Sequence, residues 1–188
     1  LIPRFREQAL ERDEFLHLQL EKSDEIPNSG PLAEPKEGAE TWLKTNFKAL
    51  APANRWILSR LQTTIETVEN GFASWEIDKS TVAIYEFAWL EFCDWSIEFA
   101  KLPFRRGGKE REESLITLHY VLETLFKLVH PIMPFVSEEL WDSLPWKKAA
   151  NSPVRARDGK PPVMALAFHA FPQPDLAFRD EAAELEMR

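Results

Sequence analysis

One cysteine, Cys93, occurs in the 188 residues. That excludes an intrachain disulfide framework and any metal site built on a cysteine pair, fits a reducing cytoplasm, and leaves Cys93 to read as a small buried hydrophobe. Six glycines are too few and too scattered for a loop that cradles nucleotide phosphates, and there is no nucleophile elbow. The four histidines, His17, His119, His130 and His169, make no ligand spacing with one another, so no metal is expected. No apolar run approaches the ~20 residues needed to cross a bilayer. Internal repeats and low-complexity runs are absent too. The opening Leu-Ile-Pro-Arg-Phe-Arg-Glu-Gln has neither an initiating Met nor the shape of a signal peptide, so the chain reads as a piece of something longer.

Aromatic residues, by contrast, are concentrated in residues 85–104. Tyr85, Ala88, Phe92, Trp95 and Phe99 recur at three- and four-residue spacing, which predicts one apolar stripe on a helix. Phe87, Trp89 and Ile97 widen that stripe, so this helix is expected to be buried around most of its circumference, with Pro103 as its stop. The other elements are expected to cover it. Leu10, Phe15, Leu16, Leu18 and Leu20 suit a helix over 6–22, and residues 31–38 a linker. A short helix over 39–50 presents Trp42, Leu43, Phe47 and Leu50.

Pro52 or Asn54 starts a stronger helix, in which Leu58, Leu61, Ile65, Val68 and Phe72 keep the three-four spacing. Asp78 is the expected N-cap of the aromatic helix. A third long helix over 110–129 carries Leu115, Leu118, Leu122, Leu125 and Val129, backed by Val121 and Phe126. Pro131 must interrupt it and a new helix begins near Pro134, leaving His130 as a helix-terminal residue hydrogen-bonded to backbone. Residues 163–168 are apolar and predict a short strand; residues 175–188 read as the first turns of a helix. The fold class is therefore all-α, an antiparallel helical bundle with a short β-strand or extended segment near the C-terminus. Three parts are expected: an N-terminal helical and linker segment (1–50), the bundle (51–146), and a loop, strand and helix start (147–188).

The net charge of −8 opposes nucleic acid as a whole, but the charge is unevenly spread. Lys101, Arg105, Arg106, Lys109 and Arg111 face one acid, Glu110; Lys147, Lys148, Arg155, Arg157 and Lys160 face Asp158. Both stretches read as inter-helix loops, either phosphate-binding patches or simply solvated ones.

Four stretches together resemble the C-terminal part of class I valyl-tRNA synthetases. Asn54-Arg55-Trp56-Ile57-Leu58-Ser59-Arg60-Leu61 resembles the opening of that family's anticodon-binding bundle, usually with Asp in place of Asn54. Tyr85-Glu86-Phe87, Glu91-Phe92-Cys93-Asp94-Trp95 and Glu98 to Lys101 resemble its second helix. His130-Pro131-Ile132-Met133-Pro134-Phe135 with Glu138-Glu139-Leu140-Trp141 resembles a kinked helix junction, and Pro172-Gln173-Pro174-Asp175 its ending. The first and third patterns are shared loosely with isoleucyl and leucyl enzymes, whereas Glu-Phe-Cys-Asp-Trp points to valine. The likeness covers residues 52–175. Residues 1–50 depart from it: of the family's Trp-Asn-x-x-Arg-Phe element, Ile2-Pro3-Arg4-Phe5 retains only the end.

The resemblance implies a module that holds a tRNA anticodon stem-loop, that of a valine tRNA, for catalytic and editing domains of the same parent chain. The family's His-x-Gly-His and Lys-Met-Ser-Lys-Ser signatures do not occur in these residues, so no catalytic residue, cofactor or metal is assigned here. ATP and magnesium belong to the parent ligase. Lys101, Arg105, Arg106, Lys109 and Arg111 are the phosphate candidates, followed by Arg55 and Arg60 at the bundle entrance. The aromatics of 85–99 are expected in the core. Two rival readings stand beside it: the anticodon domain of an isoleucyl or leucyl enzyme, and a non-catalytic helical scaffold, derived from the same bundle, that binds protein through its acidic faces.

Overall fold

The computed structural model describes residues 38–144 and 165–187. The helix expected over 6–22, the linker up to residue 37 and the second basic stretch lie outside them. The described elements are α1 (Ala39–Asn46), α2 (Pro52–Ala73), α3 (Ile77–Glu86), a π-helical segment (Phe87–Ser96), α4 (Ile97–Arg106), α5 (Gly108–Val129), α6 (Pro134–Ser143) and α7 (Glu181–Glu186). Short 3-10 turns occur at Phe47–Ala49, Leu166–Phe168 and Leu176–Phe178.

The central helix is α2, not the aromatic helix. Pro52 stands in its first turn, where a missing N–H costs nothing. Its stripe of Leu58, Leu61, Ile65 and Val68 is buried, and so are Trp56, Ile57, Ser59, Gln62 and Thr64 from its other faces. α3, α5, α7 and the π segment all pack on it. The core joins these α2 residues to Leu43, Phe47 and Leu50, to Phe87 and Phe92, to Ile116, Val121, Leu125 and Leu128, and to Phe178 and Ala183. Residues from either side of 51–146 thus share the bundle's core. A second cluster joins Trp141 and Leu144 to Leu166.

The buried stripe of the aromatic helix differs from the expected one because residues Phe87–Ser96 are wound as a π-helix. Each backbone hydrogen bond then spans one residue more than in an α-helix, and a three-four stripe drifts off its face. Within the segment the buried residues are Phe87, Phe92 and Ser96, five and then four apart. Tyr85, Trp89 and Trp95 are turned out, 63%, 53% and 57% exposed, and Cys93 is exposed as well.

Pro103 does not stop the helix. A proline removes one hydrogen bond on the turn before it, and α4 runs on to Arg106. It ends where Gly107 adopts φ 74° and donates its N–H to the Pro103 carbonyl at 2.9 Å.

Other boundaries shift for local reasons. α3 starts one residue before Asp78, whose side chain makes no cap. On α5 the buried residues are Glu113, Ser114, Ile116, Thr117, Val121, Thr124, Leu125 and Leu128, while Leu115, Leu118, Leu122, Phe126 and Val129 are half-buried. Thr117 and Thr124 enter the core because their hydroxyls donate to the carbonyls one turn back, both at 2.8 Å. The His130 ring bonds a side chain rather than backbone: Nδ1 lies 2.9 Å from Ser137 Oγ, whose own proton goes to backbone carbonyls of the same turn.

No strand occurs among the described residues. The described part of the 163–168 run forms a 3-10 turn, because the Glu138 carboxylate accepts the N–H groups of Leu166 and Ala167, each at 2.9 Å. Near the C-terminus the helix is confined to Glu181–Glu186, capped by Asp180, which accepts from the Ala183 N–H at 2.9 Å.

Candidate nucleic-acid interface

The first basic stretch is not a loop. Lys101, Arg105 and Arg106 belong to α4, and Lys109 and Arg111 to the first turn of α5. Two helix ends meet there through Gly107 and Gly108, whose φ values of 74° and 66° reverse the chain. A Cβ at either position would meet nothing within 4 Å, so the dihedral alone calls for glycine. Cations in the last turn of α4 suit the helix dipole. Those in the first turn of α5 oppose it, so helix stability does not account for Lys109 and Arg111.

The five expected cations lie on the last two turns of α4 and the first turn of α5. Lys101 Nζ lies 2.6 Å from Glu98 and Arg106 Nη1 3.5 Å from Glu110; Glu98, Arg106 and Glu110 are exposed and Lys101 is half-buried. Such pairs contribute little and exchange readily with another anion. Lys109 Nζ is held 3.2 Å from the buried Glu113. Arg105 is exposed and already engaged with a neighbour, and Arg111 is half-buried.

Arg55 and Arg60 are placed elsewhere, facing carboxylates within the bundle. Arg55 Nη1 lies 2.7 Å from Asp180 Oδ2. Arg60 grips Glu91 with two bonds of 2.9 and 2.6 Å, and its Nη1 is 3.6 Å from Glu184. The hydrogen bonds that Arg60 donates to the Glu91 carboxylate hold its guanidinium pKa above the ordinary value. Ser59 Oγ donates to Glu184 at 2.6 Å and accepts the Asp180 N–H at 3.0 Å. Gln62 Oε1 accepts the Asp175 N–H at 2.8 Å, and Arg179 reaches Thr63 and Glu66. The polar side of α2 is thus the seat of residues 175–184. The signal for it was in plain view: Arg55, Ser59, Gln62, Thr63 and Glu66 recur at helical spacing.

Sequence reasoning missed Trp95 as a surface residue. Its ring stacks on Phe99 at 5.7 Å and 25°, and Phe99 in turn meets Trp56 edge-on at 6.3 Å. Trp95 also borders a groove of about 320 Å³ that Arg60, Leu90 and Glu91 line. Trp95 precedes Lys101 by six residues on one continuous helix, a rise of about 9 Å. Chemically the region offers exchangeable cations at a helix turn and a braced aromatic plane nearby. That combination can hold a phosphate chain and stack a flat ring.

Among the described residues no group of three or more His, Cys, Asp or Glu side chains is placed to hold a metal ion, and no helix is long and apolar enough to cross a membrane.

Residues 54–187 match the sequence model of the anticodon-binding domain of tRNA ligase. The chain is similar to the valine–tRNA ligase of Geobacter sulfurreducens, 36% identical over 139 residues, covering 73% of this chain and 14% of that protein. It is 42% identical over 96 residues to the valine–tRNA ligase of Nocardia farcinica, covering 51% of this chain and 11% of the relative. The Staphylococcus carnosus valine–tRNA ligase is 44% identical over 101 residues, covering 52% and 11%. The chain thus spans between 11% and 14% of the length of these relatives.

Proposed function

The chain belongs to the anticodon-binding domain family of tRNA ligases, and from that premise we propose that it holds the anticodon stem-loop of a valine tRNA. The observation that carries the reading is the placement of Lys101, Arg105, Arg106, Lys109 and Arg111 on the two helix ends that flank one turn, in a chain whose net charge is −8. These cations position the phosphates, and Trp95, braced on Phe99, stacks an unpaired loop base. The names of the similar ligases, together with the Glu91-Phe92-Cys93-Asp94-Trp95 run, support valine over isoleucine or leucine.

The chain serves a full-length valine–tRNA ligase whose catalytic and editing parts lie outside these residues and whose ATP and magnesium chemistry takes place there, in the cytoplasm. Alone it activates no valine, since neither nucleotide-site signature occurs in its sequence.

The test is binding of the purified chain, at low salt, to stem-loop RNAs carrying valine, isoleucine or leucine anticodons. The valine stem-loop is expected to bind most tightly. Trp95→Ala should lower affinity for that stem-loop by about tenfold or more, since a base stack contributes about 1–3 kcal/mol. Equal affinity for all three RNAs would overturn the anticodon reading.

A further inference from the structure

The exposed side of α3 and of the first π turn is not used by the stem-loop reading. Val82, Tyr85 and Trp89 follow one another at helical spacing, each more than half exposed. The Tyr85 and Trp89 rings lie parallel within 3°, with centroids 6.5 Å apart, so this is one ordered apolar face. Single exposed apolar residues are ordinary, whereas a contiguous set marks a contact surface. Next to it a shallow groove of about 300 Å³ between α2 and α3 is lined by Val82, Asp78 and Glu86, with Thr67 and Lys79 on its walls.

Charge selects the occupant. Residues 76–86 carry three acids, Glu76, Asp78 and Glu86, against one cation, Lys79. Lys79 is taken by Glu76 at 2.6 Å, while Asp78 and Glu86 make no ion pair among the described residues. A phosphate backbone is repelled from such a face, and so is the same face of a second copy. The fitting surface is the opposite one: an apolar stripe flanked by lysine or arginine, whose cations also lie well over indole and phenol faces. We propose that Val82, Tyr85 and Trp89, bordered by Asp78 and Glu86, dock an amphipathic, cation-flanked helix of a protein partner. This site is separate from the one proposed for RNA and does not depend on it.

The test uses the intact chain and a fluorescein-labelled synthetic helix of about 18 residues with leucines at i, i+3, i+4 and i+7 bordered by lysines. A second peptide has glutamate at every lysine. The lysine peptide is expected to bind and the glutamate peptide not to. Tyr85→Ala, Trp89→Ala and Glu86→Lys should each weaken binding by about tenfold or more, whereas Glu139→Lys on α6, the same change of charge elsewhere, should leave it unchanged. All four positions are exposed, and circular dichroism confirms that each variant keeps the fold. The proposal fails if the lysine peptide does not bind, or if Glu139→Lys weakens it as much as Glu86→Lys. It also fails if a valine stem-loop RNA displaces the peptide, or if sedimentation shows that Trp89 instead mediates self-association.

Discussion

Glu138 shows how much one side chain can fix at a distance. It accepts from the N–H groups of two consecutive residues, Leu166 and Ala167, and so sets Leu166 beside Trp141 in the smaller core cluster. Glu138→Ala leaves the buried end of that turn without an acceptor. The expected cost is about 1–3 kcal/mol, read as a lower urea midpoint, with Glu138→Gln showing only part of that cost because one acceptor oxygen remains. Tyr120 gives a second expectation. Its ring packs on Phe178 at 5.6 Å, and burial holds the phenol above its ordinary pKa. The folded state therefore keeps the proton longer than the unfolded one. Its contribution to stability is intact below the unfolded pKa of about 10 and falls as pH climbs from there through the folded value. Tyr120→Phe should flatten that alkaline fall in a denaturation series against pH. The sequence around Glu138 and Trp141 is distinctive, and the helix junction there was legible from it. The bonds of Glu138 were not, because its partners lie 28 and 29 residues further on and no local pattern connects them.

At the scale of elements, the winding of Phe87–Ser96 decides which aromatics are core. If the segment were α-helical, Trp95 would share a buried face with Phe92 and Phe99. Wound as it is, Phe87 is buried and Trp95 is more than half exposed. Phe87→Ala should then cost about 3–5 kcal/mol and Trp95→Ala only about 1 kcal/mol or less, measured as a pair by chemical denaturation. Equal costs would point to a regular α-helix.

The crossing of α2 and α3 is as specific. A Cβ on Gly71 would stand 2.2 Å from Ser80 Oγ, and Ser80 is itself buried and donates to the Val68 carbonyl at 3.1 Å. Gly71→Ala is expected to cost about 1–3 kcal/mol through overpacking. Helix positions were legible because the apolar spacing of α2 runs nearly without fault and prolines mark the start of α2 and the α5–α6 break. Two things were hidden. A helical period presumes α-helical hydrogen bonding, which the π segment abandons. A hydrophobic stripe also overlooks Ser114, Thr117 and Thr124, of which the two threonines enter the core of α5 by satisfying their hydroxyls on their own helix.

Across the whole molecule the charge is polarised along one run of helix. Residues 76–98 hold six acids and one cation, and 101–111 hold five cations and one acid. The basic cluster was legible as composition, but its placement on two helix ends rather than a loop followed from Pro103 being tolerated and Gly107 ending α4. The net charge of −8 repels RNA at long range, so attraction must come from the local cluster and be strongest at low salt. If the cluster lies along the stem, neutralising Arg105 and Arg106 together leaves RNA phosphates without their cations and abolishes the counterion release that accompanies each pairing. Binding should then weaken to a similar degree for valine, isoleucine and leucine stem-loops. The slope of log affinity against log salt should become shallower by about 0.7–0.9 for each phosphate that is no longer neutralised. Trp95→Ala should differ in its salt response, lowering affinity for the three RNAs while the slope barely moves, because stacking releases no counterions. An Arg105 and Arg106 double variant with an unchanged slope would remove this turn from the path of the RNA backbone.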